Sequence, residues 1–275
     1  MKPFMLSLIF FVILVAQRAQ AEELPLWEIG AGLTGLSLPE YRGADHQQLY
    51  LLPLPYLVYR GKLLRVDRKG IYGLLFDSDR VKLNMSFDAG APVRSSGNSV
   101  RSGMSDLDPS GQMGPSLEVC LLHDCTGDRS LQFRLPVRAV YAIRSLTMHG
   151  TGVVINPQLN LDATNVGQQG WNVGAALGPL FATEKYHDYY YEVAPQFSIP
   201  GSRPAYDARG GYSGTLAILS LSKRFDHHWF GSFLRYDNLS GAVFEHSPLV
   251  RSRHAVMVGF GIAWIVDQSR TLVQE

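Results

Sequence analysis

Along most of this chain, apolar and polar residues take alternate positions over runs of about ten residues, the two-residue period of a β-strand. Between Val81 and Arg94 the residues Val81, Leu83, Met85, Phe87, Ala89, Ala91 and Val93 share one face, and Lys82, Asn84, Ser86, Asp88 and Arg94 share the other. The same division recurs from Leu131 to Arg144, from Gly152 to Asp162, from Gly170 to Phe181 and from His254 to Val266. No stretch of useful length holds a helical period. The alternation and its breaks predict strands over 26–36, 48–59, 62–68, 70–77, 80–93, 113–122, 129–143, 150–162, 169–181, 211–224, 228–238 and 253–266.

A soluble sandwich also alternates, so strand length and the character of each face decide the solvent. Sandwich strands run about five or six residues, whereas a tilted bilayer crossing needs about 9 to 11. Several runs here are longer still, with a continuous apolar face and a second face of charges, glycine and alanine. The expected fold is therefore all-β, an antiparallel transmembrane β-barrel of about twelve strands. The long connections (37–47, 94–112, 182–210, 239–252) then fall on one side. The short ones, including Asp77 to Asp79, His123 to Asp128 and Asp226 to His227, fall on the other with both termini. That asymmetry predicts an outer-membrane location with periplasmic termini.

The N-terminus supports export. Lys2 precedes an apolar run from Phe4 to Val15, and Ala19-Gln20-Ala21 forms a small-x-small cleavage site. Residues 1–21 are expected to be a signal peptide, and 22–275 one barrel domain with a short periplasmic tail beyond Trp264. Without Lys2 and Arg18 the basic and acidic residues are nearly balanced, so no nucleic-acid partner is expected. The two cysteines, Cys120 and Cys125, fall in the exported part, where a small disulfide is plausible; free thiols in a turn are the alternative. They lack Cys-x-x-Cys spacing, and no His or Cys cluster completes a metal shell.

Strong catalytic motifs are absent, no cofactor is expected, and an enzyme is not the default reading. A rim hydrolase would need a hydroxyl residue beside one of His46, His149, His187, His228 or His254. The inward charges Lys82, Asp88, Arg134, Arg138, Asp162 and Arg235, with Arg94, Arg144 and Asp237, either line an aqueous pore or pair across a filled lumen. Tyr186-His187-Asp188-Tyr189-Tyr190-Tyr191 reads as an aromatic girdle extending a strand, with carbohydrate binding as the alternative. His227-His228-Trp229 reads as an interfacial turn.

Three blocks carry a resemblance. The first is Pro39-Glu40-Tyr41-Arg42-Gly43-Ala44-Asp45 leading into Pro53-Leu54-Pro55-Tyr56-Leu57-Val58-Tyr59-Arg60-Gly61. The second is Arg203-Pro204-Ala205-Tyr206-Asp207-Ala208 with Gly210-Gly211-Tyr212. The third is Arg235-Tyr236-Asp237-Asn238-Leu239 with Ser247-Pro248-Leu249-Val250. Together they resemble the MltA-interacting protein (MipA/OmpV) family, with Tyr41, Gly43, Asp45, Pro53, Pro55, Tyr56, Tyr59, Arg60, Gly61, Arg203, Tyr206, Asp207 and Gly211 as the signature. The resemblance implies an outer-membrane barrel in contact with lipid, acting as a scaffold between a lytic transglycosylase and a bifunctional penicillin-binding protein. It implies no catalytic residues, and other members are described as adhesins or porin-like proteins. The signature residues also have structural readings: Gly43, Gly61, Gly210 and Gly211 permit tight turns, Pro53 and Pro55 limit ladder bonding, and Arg203 with Asp207 would fix a loop by charge.

Overall fold

The computed structural model describes residues 23–274 except 62–63, 68–69, 79, 123–124 and 126; the expected signal peptide lies outside the described residues. The strands are β1 (Glu23–Pro25), β2 (Trp27–Pro39), β3 (Gln47–Arg60), β4 (Leu64–Asp67), β5 (Gly70–Asp77), β6 (Val81–Gly90), β7 (Ser110–Cys120) and β8 (Arg129–Arg144). There follow β9 (Thr147–Ile155), β10 (Gln158–Val166), β11 (Trp171–Ala182), helix α1 (Glu184–Tyr191), β12 (Gly211–Arg224), β13 (His228–Asn238), β14 (His254–Gln268) and β15 (Leu272–Gln274).

Neighbouring strands pair antiparallel, and β14 returns to β2 through Val258–Gln268 against Ser37–Glu28, which closes the sheet into a barrel. Strands β9 and β10 form one stave. Strand β8 pairs with β10 through Arg129–Arg134 and with β9 through Val137–Arg144, and β11 bonds to both. The interruption lies at Asn156-Pro157, where proline has no N–H for the ladder. Pro115, Pro136 and Pro179 stand within one residue of this level on the adjoining staves. Asn156 bridges the break, its backbone N–H donating to the Pro136 carbonyl at 3.2 Å and its side-chain amide to the Pro179 carbonyl at 2.8 Å. With that stave counted once, the described residues form twelve staves, at positions close to those the alternation predicts.

Face selection follows the period. On β14 the residues Val256, Val258, Phe260, Ile262, Trp264 and Val266 point outward and are exposed, while Ala255, Gly259, Gly261, Ala263 and Ile265 are buried in the lumen. An outward apolar band around a closed sheet is the arrangement a bilayer requires, since no free backbone edge can be left in hydrocarbon.

Two features were not expected from the alternation. The tail beyond Trp264 is folded rather than trailing: β14 continues to Gln268, and β15 pairs with β1 in a separate two-stranded sheet. The residues Glu184–Tyr191 form a helix instead of extending a strand. Two turns are too short to impose a visible period, and a run of tyrosines favours β-structure by propensity.

The barrel has a long-loop end, carrying 40–46, 91–109, 183–210 and 239–253 and the turn 145–146, and a terminal end, carrying β1, β15 and the turns 167–170 and 225–227. One sector of the wall is low. Strand β3 pairs with β4 only at Tyr59 and Arg60, and β5 pairs with β6 only between Gly73–Asp77 and Lys82–Met85. Above that short hairpin, no described strand stands between β3 from Gln47 to Val58 and β6 from Ser86 to Gly90.

Candidate functional site

A cluster around one fully buried carboxylate stands at each end of the interior. At the terminal end Glu28 on β2 accepts from Arg60 of β3 at 2.9 Å and from Arg224 of β12 at 2.8 Å, and the Tyr56 hydroxyl reaches it at 3.3 Å. The guanidinium of Arg60 also donates to the Pro25 carbonyl at 2.7 Å, and that of Arg224 to Gln268 Oε1 at 2.9 Å. The same set thus ties the wall to both terminal segments. Tyr56, Val58, Ala263 and Ile265 pack beside it with Trp229, whose ring lies 5.8 Å from that of Tyr56.

At the long-loop end Asp237 on β13 accepts from Arg42 at 2.8 Å and from Arg235 at 2.8 and 3.0 Å, and Arg42 donates onward to the Ser213 carbonyl at 2.8 Å. Above it the loops and α1 form an apolar plug of Tyr41, Val93, Leu107, Tyr191, Leu239 and Phe244. The Tyr191 ring stacks on Phe244 at 3.7 Å, and its hydroxyl donates to the Arg42 carbonyl at 2.9 Å. Burial pushes the Tyr41 hydroxyl up to about 12 and raises those of Tyr186 and Tyr191, so all three stay neutral donors. Helix α1 approaches the wall closely because Gly152, at φ +127°, leaves room: a Cβ there would lie 2.7 Å from the Tyr186 nitrogen.

Between the two clusters lies a cavity of about 450 Å³, lined by the apolar residues Leu54, Ile218, Trp229 and Phe233 and the polar residues Arg134, Asn160, Ser220 and Ser222. The expected lumen charges are mostly paired. Arg134 meets Glu118 at 3.1 Å and Arg138 meets Asp88 at 3.4 Å, while Lys82 stands opposite Glu118 in register and Asp162 borders the cavity. Arg144 is not a lumen residue: it sits exposed at the long-loop rim, 3.0 Å from Asp108.

Many of the signature residues fall near the two ends of the barrel. Tyr41 and Gly43 belong to the loop plug, where the Gly43 carbonyl accepts from Arg251 and Ser252, and Asp45 lies 3.9 Å from Arg251. Tyr56, Tyr59, Arg60 and Gly61 lie at the terminal end, and Pro53 and Pro55 lie on the free stretch of β3. Gly211, at φ +142°, opens β12, and Tyr206 donates to the Val243 carbonyl at 3.2 Å. The expected Arg203–Asp207 pair does not form. Arg203 is buried and donates to the carbonyls of Phe197, Val100 and Ser102 at 2.7 to 2.9 Å, joining two loops, while Asp207 is exposed. Carbonyls at the loop crossing satisfy the guanidinium without the cost of desolvating a carboxylate.

A family model with the description MltA-interacting protein MipA matches residues 31–266, a span that holds all three blocks. The chain belongs to the MipA family. No curated protein matches it. Among solved structures it is similar to the Ralstonia pickettii toluene transporter TbuX at 10% identity, with a TM-score of 0.25, over 90% of this chain and 71% of that one.

Within this MipA-family barrel the sequence reading missed Glu28, Arg224 and Arg42. The one available signal was Glu28 itself, an acid on a β2 face otherwise made of Gly30, Gly32 and Thr34. Of the candidate histidines, His187 alone is fully buried. Its Nδ1 donates to the Arg209 carbonyl and its Nε2 accepts from the Ser213 hydroxyl, and burial lowers its pKa so that it stays neutral. Ser213 is fully buried too, and the orienting partner is a carbonyl rather than a carboxylate. His149 meets the Thr147 hydroxyl and His254 the Tyr236 hydroxyl at the exposed rim. Trp229 of the expected interfacial turn points into the lumen. Cys120 and Cys125 are joined as a disulfide at the terminal end. Among the described residues no cluster of three or more His, Cys, Asp and Glu could hold a metal.

Proposed function

We propose that this chain is a non-enzymatic outer-membrane barrel that serves as a scaffold, bringing a lytic transglycosylase to a bifunctional penicillin-binding protein at its periplasmic, terminal end. The observation that carries the reading is the commitment of interior charges to buried carboxylate–arginine clusters near both ends of the barrel. A barrel whose interior charges are committed to one another has its rims left for recognition, and the family is described by its interaction with MltA. The terminal rim supports a docking role because Glu28, Arg60 and Arg224 fix both terminal segments to the wall. Preorganised surfaces bind with less ordering cost.

The test is affinity capture from detergent-solubilised outer membrane, with a tag inserted between Ser145 and Leu146. That two-residue turn lies at the long-loop end, and Leu146 is 98% exposed, so the terminal face stays free. Specific recovery of a lytic transglycosylase and a penicillin-binding protein is the expected result. Recovery of neither from a folded, heat-modifiable barrel rejects the scaffold and leaves a solute channel or a surface adhesin.

A further inference from the structure

The low sector of the wall has a consequence separate from docking at the rim. The chain has only nine residues between Arg60 and Gly70, so β4 cannot rise beside the rest of β3. The resulting notch lies at bilayer depth: Leu51 pairs with Gly35, and Gly35 with Phe260, in the middle of the outward apolar run of β14. Its outer lip is apolar, with Leu49 and Leu51 82% and 74% exposed against 41% for Ile262 on a fully paired stave. Its inner side is the lumen, because Leu54 belongs to the free stretch of β3 and also borders the central cavity.

An open strand edge invites either another strand or a passing ligand, and here the edges are blunted against strands. Pro53 and Pro55 remove two donors from β3, and β6 turns Asp88 inward beside its edge, both common devices against edge pairing. Lipid alone is also a poor neighbour, since free backbone groups in hydrocarbon need polar partners. A molecule with an apolar chain and a polar head satisfies both surfaces. The cavity matches it, with Trp229 and Phe233 lining it together with Asn160 and Ser220 around a volume within the range of small-ligand sites.

We infer that the notch between β3 and β6 is a lateral portal through which a single-chain amphiphile passes between the bilayer and the central cavity. Among the described strands this is the opening in the wall, and passage through it needs no movement of the loop plug.

The test uses the full barrel in nanodiscs with Trp27, Trp171 and Trp264 changed to Phe, so that Trp229 in the cavity is the sole reporter. Dibromostearic acid should quench its fluorescence saturably, at one molecule per barrel. Leu52→Glu, which puts a charge on the portal lip, should weaken that quenching at least tenfold. Ser86→Arg on the facing lip serves the same purpose if the first variant does not fold. Absence of saturable quenching in a heat-modifiable barrel overturns the proposal. Quenching that is unchanged by the lip variants also overturns it, because access would then run through an end.

Discussion

The two closures use the same element, a carboxylate with no solvent exposure gripped by two arginines, yet they differ in what surrounds it. At the terminal end Glu28 is held by wall residues of β2, β3 and β12, and the groups it organises are the terminal segments. At the long-loop end Asp237 is also on the wall, but Arg42 comes from a loop, and the bulk of the seal is aromatic. The first is a charge lock backed by a smaller apolar cluster on the wall; the second is a larger hydrophobic plug with a charge lock at its base. A charge lock fails all at once when one partner is lost, whereas an apolar plug loses stability in proportion to the contacts removed.

That contrast sets the order of effects. Glu28→Gln leaves two arginines facing each other in a buried site and should cost about 3–5 kcal/mol, read as a lower urea midpoint for the heat-modifiable form. It should also raise conductance in planar bilayers. Asp237→Asn should lose less, because the aromatic plug holds the loops in place; equal losses would erase the distinction between the two ends. Gly152→Ala forces α1 away from the wall and should cost about 1–3 kcal/mol, as overpacking does, with faster hydrogen exchange confined to 184–191.

The long-loop plug should also respond to pH. His187 titrates below its unfolded value of about 6.5, so the unfolded chain takes up the proton first as pH falls. The stability due to neutral His187 is therefore complete above about pH 6.5 and declines below it. His187→Gln should flatten that dependence, while hydrogen exchange at the terminal end should show none of it. The smallest effect is expected at Asp207, where Asp207→Asn should change stability by less than about 0.5 kcal/mol, against a clear gain in protease sensitivity of the loops for Arg203→Ala.

The staves were legible because a period of two survives along any strand that separates lipid from lumen, and β14 shows it residue by residue. The closures were not. Arg224 lies 196 positions from Glu28 in sequence, and only the register of the sheet brings them together; alternation gives a residue's face but not its height. Helix α1 was hidden for the opposite reason, being too short to show a period. The signature blocks named Arg60 and Tyr56 without revealing their partner, and they suggested Asp207 for Arg203 because the two are close in sequence. Backbone carbonyls, which every residue carries, leave no mark in a sequence.

The four prolines at one level of β7, β8, β9–β10 and β11 have a mechanical consequence. A barrel wall resists bending through its cross-strand bonds, so a line along which adjacent staves each lack a donor is a crease. Close backbone contact replaces the missing bonds there: a Cβ on Gly114 would lie 2.9 Å from the Arg138 Cα, and one on Gly178 2.7 Å from the Gln158 Cα. Asn156 is the rivet across that crease, and because the creased staves begin beside β6, any flexing of the wall along it changes the width of the notch.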